Sequence, residues 1–66
     1  MSSEKSVFFA LKTIEDPNID SDIEFEAVRT IFKINPMFFE QFIISKFSEK
    51  ETVKKIIAHI NNPYLS

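Results

Sequence analysis

Residues 36–47 constrain the fold more than any other segment, because they place apolar side chains on almost every side of a helix. At about 100° per residue, these side chains point nearly all the way round the helix axis. They are Met37, Phe38, Phe39, Phe42, Ile43, Ile44 and Phe47. A helix of this kind has to be covered on nearly every side, either by the rest of its own chain or by another chain. The segment therefore predicts a packed, helical fold.

Four helices are predicted, at roughly residues 3–15, 21–34, 36–47 and 49–61, because apolar residues recur with helical spacing in each segment. The chain has 66 residues, enough for one domain with a small core. It has no Cys and one His, so disulfides and a metal cannot supplement that core. Eight Phe supply dense packing instead. We expect a single all-α domain over residues 1–66, a compact bundle of four short helices.

The helix boundaries are set by Pro, Asn, Asp and Ser, since the chain has no Gly. Asp16-Pro17-Asn18 has the composition of a turn. Asn35 before Pro36 is typical of a helix N-terminus. Residues 48–51 and 21–24 both match the capping box S-x-x-E, although Asp20 competes as the cap of the second helix. Residues 61–63, Asn-Asn-Pro, are expected to end the last helix.

Charge is distributed unevenly along the chain. Residues 1–28 carry seven acids and two bases, whereas residues 29–66 carry six bases and three acids. One interpretation is that two solvated faces attract each other, within the fold or between copies. The other is an acidic patch that attracts a basic partner. The sequence leaves both interpretations open.

The sequence offers little for catalysis or for cofactor binding. His59 is the only good candidate for a catalytic base, and a solvent-facing His near a helix C-terminus is its more ordinary role. No set of His or Cys has the spacing of a metal site. The acidic run over residues 16–26 resembles a calcium loop only superficially, because it contains Pro17 and lacks the Gly of the sharp turn. We therefore expect no enzymatic activity, no cofactor and no metal.

The expected location is the cytoplasm, without membrane attachment. The N-terminal residues lack the basic stretch and long apolar run typical of a signal peptide, and no uninterrupted apolar run approaches the roughly 18 residues of a membrane span. Seven Lys against one Arg, with abundant Ile, Phe and Asn, suggest an AT-rich genome such as that of a phage or an AT-rich bacterium.

Residues 43–57 read Ile-Ile-Ser-Lys-Phe-Ser-Glu-Lys-Glu-Thr-Val-Lys-Lys-Ile-Ile. This segment resembles helix-turn-helix regulators of the LuxR type, in which a capping Ser and a later Thr-Val open the recognition helix. The resemblance implies that the last helix enters the major groove of DNA and that Lys54 and Lys55 contact phosphates. The residues near DNA would be Ser48, Lys50, Glu51, Thr52, Lys54 and Lys55. DNA binding is the second functional hypothesis, because the chain as a whole is acidic.

The leading hypothesis is a small interaction protein, an inhibitor or adaptor that binds a larger protein or a second copy of itself. Phe8-Phe9 and Phe38-Phe39 are adjacent pairs, and an adjacent pair spans about 100° of a helix, so one member tends to leave the inward face. We expect Phe38 and Phe42 to pack inside. The predicted contacts to a partner are Phe8, Phe9, Phe25 and Phe39, with Asp20, Asp22 and Glu26 steering a basic partner.

Overall fold

The computed structural model describes residues 3–61 of the chain. Helix α1 spans Ser3–Glu15, α2 spans Ser21–Ile34, and α4 spans Glu51–Asn61. Between α2 and α4, helix α3 runs without a break through three pieces: α-helical Pro36–Phe38, π-helical Phe39–Ile43 and α-helical Ile44–Phe47. The described residues contain no strand, and the predicted all-α bundle of four short helices is confirmed. The predicted stop at Asn62 and Pro63 lies outside them.

One hydrophobic core is shared by all four helices. Its buried residues are Ala10, Ile14, Ala27, Val28, Ile31, Phe39, Ile43, Val53 and Ile56. The closest pairing is between α1 and α2, and α2 also packs against both α3 and α4. Three isoleucines of α2 and α4 are exposed and do not join this core, namely Ile23, Ile34 and Ile60. Each lies near an end of its helix, where the neighbouring helices no longer cover it.

Helix α3 contains a π-helical turn, and Phe39 is the phenylalanine of this helix that is fully buried. The Ile44 N–H donates to the Phe39 carbonyl, five residues earlier, so this turn holds one residue more than an α-helical turn. Phe39 is fully buried and meets the Phe32 ring edge-on, with centroids 5.3 Å apart. Phe38 is half-buried and stacks on Phe42 at 5.0 Å. The prediction that Phe39 contacts a partner is therefore wrong, because its ring lies in the core.

Two of the predicted boundary signals are confirmed. The Phe38 N–H donates to the Asn35 side-chain oxygen at 3.1 Å, and Pro36 occupies the first turn of α3. In the turn between α1 and α2, the Asn18 N–H donates to the Asp16 carboxylate at 2.9 Å. Both side chains satisfy backbone donors that have no other helical partner.

Neither capping box is formed, and at α2 the competing cap, Asp20, occupies the cap position. Ser48 has helical backbone angles and ends α3, while α4 begins only at Glu51. At the start of α2, Asp20 occupies the cap position with an extended backbone and makes no side-chain capping bond. The Glu24 carboxylate reaches away from its own helix, accepting from the Lys50 ammonium at 3.0 Å and from the Thr52 hydroxyl at 2.8 Å. This contact fixes the start of α4 to α2.

Within residues 3–61, no helix combines the length and hydropathy that a membrane crossing requires.

Candidate protein-interaction surface

Phe8 and Phe9 on α1 are adjacent apolar side chains exposed at the surface. Phe9 is 73% exposed and Phe8 is 60% exposed. Because they are adjacent on a helix, their side chains leave α1 in directions about 100° apart. Phe9 therefore lies on the side of α1 next to α2, and Phe8 lies on the side next to α3.

The Phe9 groove runs between α1 and α2. It is lined by Ser6, Phe9, Ala10, Thr13, Ile23, Glu26, Ala27 and Thr30. The hydroxyls of Thr13 and Thr30 each donate to a carbonyl of their own helix, at 3.1 and 2.8 Å. Ile23 is exposed like Phe9, so the groove joins apolar side chains of two helices. Covering such a surface with another protein is favourable in free energy, because it removes apolar side chains from water.

The Phe8 groove lies on the other side of α1. Its lining is Glu4, Val7, Phe8, Leu11, Ile34, Asn35 and Phe38. The Lys12 ammonium lies 5.4 Å from the centre of the Phe8 ring and shields one face of it. Val7, Leu11 and Phe38 pack partly against the core, which gives this groove a rigid apolar floor.

The Phe25 groove lies between α2 and α4 and differs in charge from the other two. Its floor is formed by Phe25, Phe32 and Ile56. Its polar lining consists of Arg29, Lys33, Lys55 and His59. Phe25 is therefore available at a surface, although it is half-buried against the core. The groove has a basic edge, whereas the Phe9 groove has an acidic residue, Glu26.

The structure brings together only some of the predicted contact residues. Phe9 and Glu26 line one groove, and Asp20 and Asp22 are exposed near the start of α2. Phe8 and Phe25 lie in separate grooves. Phe39 is removed from the set, because its ring is in the core.

Sequence reasoning missed several exposed residues. Ile23 and Met37 are exposed, and Arg29 and Lys33 line the Phe25 groove. The positions of Arg29 and Lys33 on one face of α2 were readable from helical spacing alone. The exposure of Ile23 could not be read from the sequence, because it depends on where α1 stops covering α2.

The residues suggested for DNA binding do not form one free surface. Thr52 is buried and bonded to Glu24, so it is withdrawn from that set. Lys50 is paired with the same carboxylate. The exposed members are Ser48, Glu51, Lys54 and Lys55, with Lys54 within 3.6 Å of the Glu51 carboxylate. DNA binding by residues 43–57 stays a prediction, with fewer residues to carry it.

No convergence of three His, Asp or Glu side chains suited to a metal ion occurs within residues 3–61.

Comparison with known proteins adds no relative to this description: no family model, no curated protein and no solved structure matches the chain.

Proposed function

We propose that this chain is a small interaction protein that acts by burying Phe9 and the apolar side chains around it against another protein. The observation that carries the proposal is the exposure of Phe9, at 73%, beside exposed Ile23 in one groove. Single exposed apolar residues are common at protein surfaces, whereas here two exposed apolar side chains from different helices, Phe9 and Ile23, line one groove.

Aromatic side chains are well suited to this role. A Phe buries about 150–250 Å² and pays little conformational entropy when it is fixed, so aromatic residues are enriched at the centres of interfaces. Phe9 lies on a helix that packs closely against α2, so the ring is presented by a rigid element. The partner then does not have to order a loop, and more of the contact energy appears as affinity.

The acidic residues around the groove support a basic partner or a basic surface. Asp20, Asp22 and Glu26 are exposed, and Glu26 lines the Phe9 groove itself. Charges at the rim of an interface raise the association rate more than they raise the final affinity. We therefore assign Phe9 the anchoring role and these carboxylates the role of steering approach. Inhibitor or adaptor activity would follow from occupying a surface on the partner.

The test is Phe9→Asp, which places a charge where the partner should exclude water. We expect complex formation to be abolished, because a buried unpaired carboxylate costs several kcal/mol, while circular dichroism remains that of a helical protein. Met37→Asp is the matched control, since Met37 is 65% exposed and lies outside the Phe9 groove. Binding would be measured by co-purification of tagged variants from cells and by sedimentation of the purified chain. Retention of the same complexes by Phe9→Asp would remove the anchor from the proposal.

A further inference from the structure

The solvent face of α2 carries a single line of four charges. The four positions are spaced i, i+4, i+7 and i+11, so they fall within about 60° of the helix surface. They are two acids followed by two bases, namely Asp22, Glu26, Arg29 and Lys33. All four side chains are exposed. The ion pairs formed among residues 3–61 involve other side chains.

Interactions within α2 explain only part of this order, because Glu26 and Arg29, three residues apart, carry opposite charges that attract each other. Asp22 and Glu26 are four residues apart, as are Arg29 and Lys33, and like charges at that spacing destabilise a helix by about 0.2–0.5 kcal/mol per pair. The helix dipole favours an acid in the first turn and a base in the last turn. Glu26 and Arg29 are in the middle of α2, where that effect has faded. The helix alone therefore leaves the two like-charge pairs unexplained.

The line of charges is complementary to itself when it is reversed. Asp22 and Lys33 are equally far from the middle of α2, and so are Glu26 and Arg29, with both pairs centred between Ala27 and Val28. A second α2 laid antiparallel across this centre would place each acid opposite a base. Two copies would then form four opposite-charge contacts over about 16 Å of helix, at 1.5 Å per residue.

Apolar side chains border the charged line on both sides. Phe25 and Phe32 lie on the side facing the Phe25 groove, and Ile23 lies on the side facing the Phe9 groove. In a two-fold pair of antiparallel helices, each side of the contact is formed by the same side of both copies. Phe25 of one copy would therefore meet Phe32 of the other. The contact would combine a charged centre line with apolar surface along each edge.

We propose that this chain binds a second copy of itself, docked antiparallel through α2. Charge complementarity along α2 fixes the register, and the flanking phenylalanines and Ile23 supply apolar burial. This inference goes beyond the proposed function, because the contact is centred on α2, whereas the proposed anchor, Phe9, lies on α1. It also extends it, because it adds Arg29 and Lys33 to the contact residues and gives the acids Asp22 and Glu26 a defined counterpart.

The test exchanges charges across the contact in the full chain. In Glu26→Lys a base faces Arg29 of the other copy, and in Arg29→Glu an acid faces Glu26. Each variant alone is expected to weaken dimerisation about tenfold or more, since two contacts per dimer change from attraction to repulsion. An equimolar mixture of the two variants restores opposite charges at both contacts. Sedimentation equilibrium should therefore show the dimer recovering in the mixture.

The control is Glu49→Lys, which makes the same charge change at an exposed position between α3 and α4 and should leave the dimer unchanged. Circular dichroism establishes that each variant is folded. A wild-type chain that stays monomeric at all concentrations overturns the second copy as partner, and Phe9→Asp then tests a foreign partner independently. A dimer that both reversals leave intact, or that the mixture does not restore, overturns the antiparallel register.

Discussion

Phe8 and Phe9 are largely exposed on α1, whereas Phe39 on α3 is fully buried and its neighbour Phe38 is half-buried. Both pairs are adjacent residues on a helix, so the chemistry and the local spacing are the same. They differ in their neighbours. Phe39 packs against Phe32 from α2, while helix α1 packs mainly against α2 and leaves Phe8 and Phe9 largely in water. The number of helices that surround a residue, more than its hydrophobicity, decides whether it stabilises the fold or remains available for binding.

The largest effect on stability is expected when the buried ring of Phe39 is removed. Phe39→Ala should lower the free energy of unfolding by about 3–5 kcal/mol, because it deletes a buried aromatic side chain and leaves a cavity. A domain of this size has a total stability of only roughly 3–10 kcal/mol. We therefore expect Phe39→Ala to be largely unfolded or to melt far below the wild type. Urea denaturation followed by circular dichroism measures the difference. An unfolding midpoint close to that of the wild type would show that the ring does not support the core.

A moderate effect is expected from the residue that starts the helix carrying Phe38 and Phe39. Asn35→Ala removes the side-chain oxygen that accepts from the Phe38 N–H, and loss of such a cap costs about 1 kcal/mol. Asn35→Asp keeps an acceptor at this position and should retain most of the stability. The same denaturation experiment compares the two variants. If Asn35→Asp were as destabilised as Asn35→Ala, the capping bond would not be the cause.

The smallest effect on stability is expected at the exposed pair. Phe9→Ala should change the free energy of unfolding by less than about 0.5 kcal/mol, as is usual for surface positions. The variant should nevertheless weaken binding, which separates the two roles that phenylalanine plays in this chain. A large loss of stability in Phe9→Ala would mean that the ring packs against α2 in solution, and the contrast between the two pairs would disappear.

Local sequence signals predicted most of the helix bounds and the cap at Asn35. They failed where a residue had a long-range partner. Glu24 matched a capping box, but its carboxylate binds Lys50 and Thr52 on a distant part of the chain. A tertiary contact of this kind has no signature in a four-residue pattern.

The burial of Phe39 was predicted wrongly for a related reason. Its ring packs against Phe32 on α2, and a tertiary contact of this kind cannot be read from the spacing of residues within α3. The candidate surface was predicted in part, since Phe8 and Phe9 are exposed. The charged line on α2 was available from the spacing of its residues, but it becomes meaningful only when α2 is seen to present that face to solvent.

The chain folds without Gly, and no residue among those the structure describes has a positive φ angle. Average composition would put about four or five Gly in a chain of this length. Each Gly widens the range of conformations open to the denatured chain, and replacing one at a compatible position stabilises a protein by about 0.4–1 kcal/mol. The denatured ensemble of this protein is therefore unusually restricted. It loses less entropy on folding, which helps a core of nine buried apolar side chains hold the native state while costly aromatic surface stays in water.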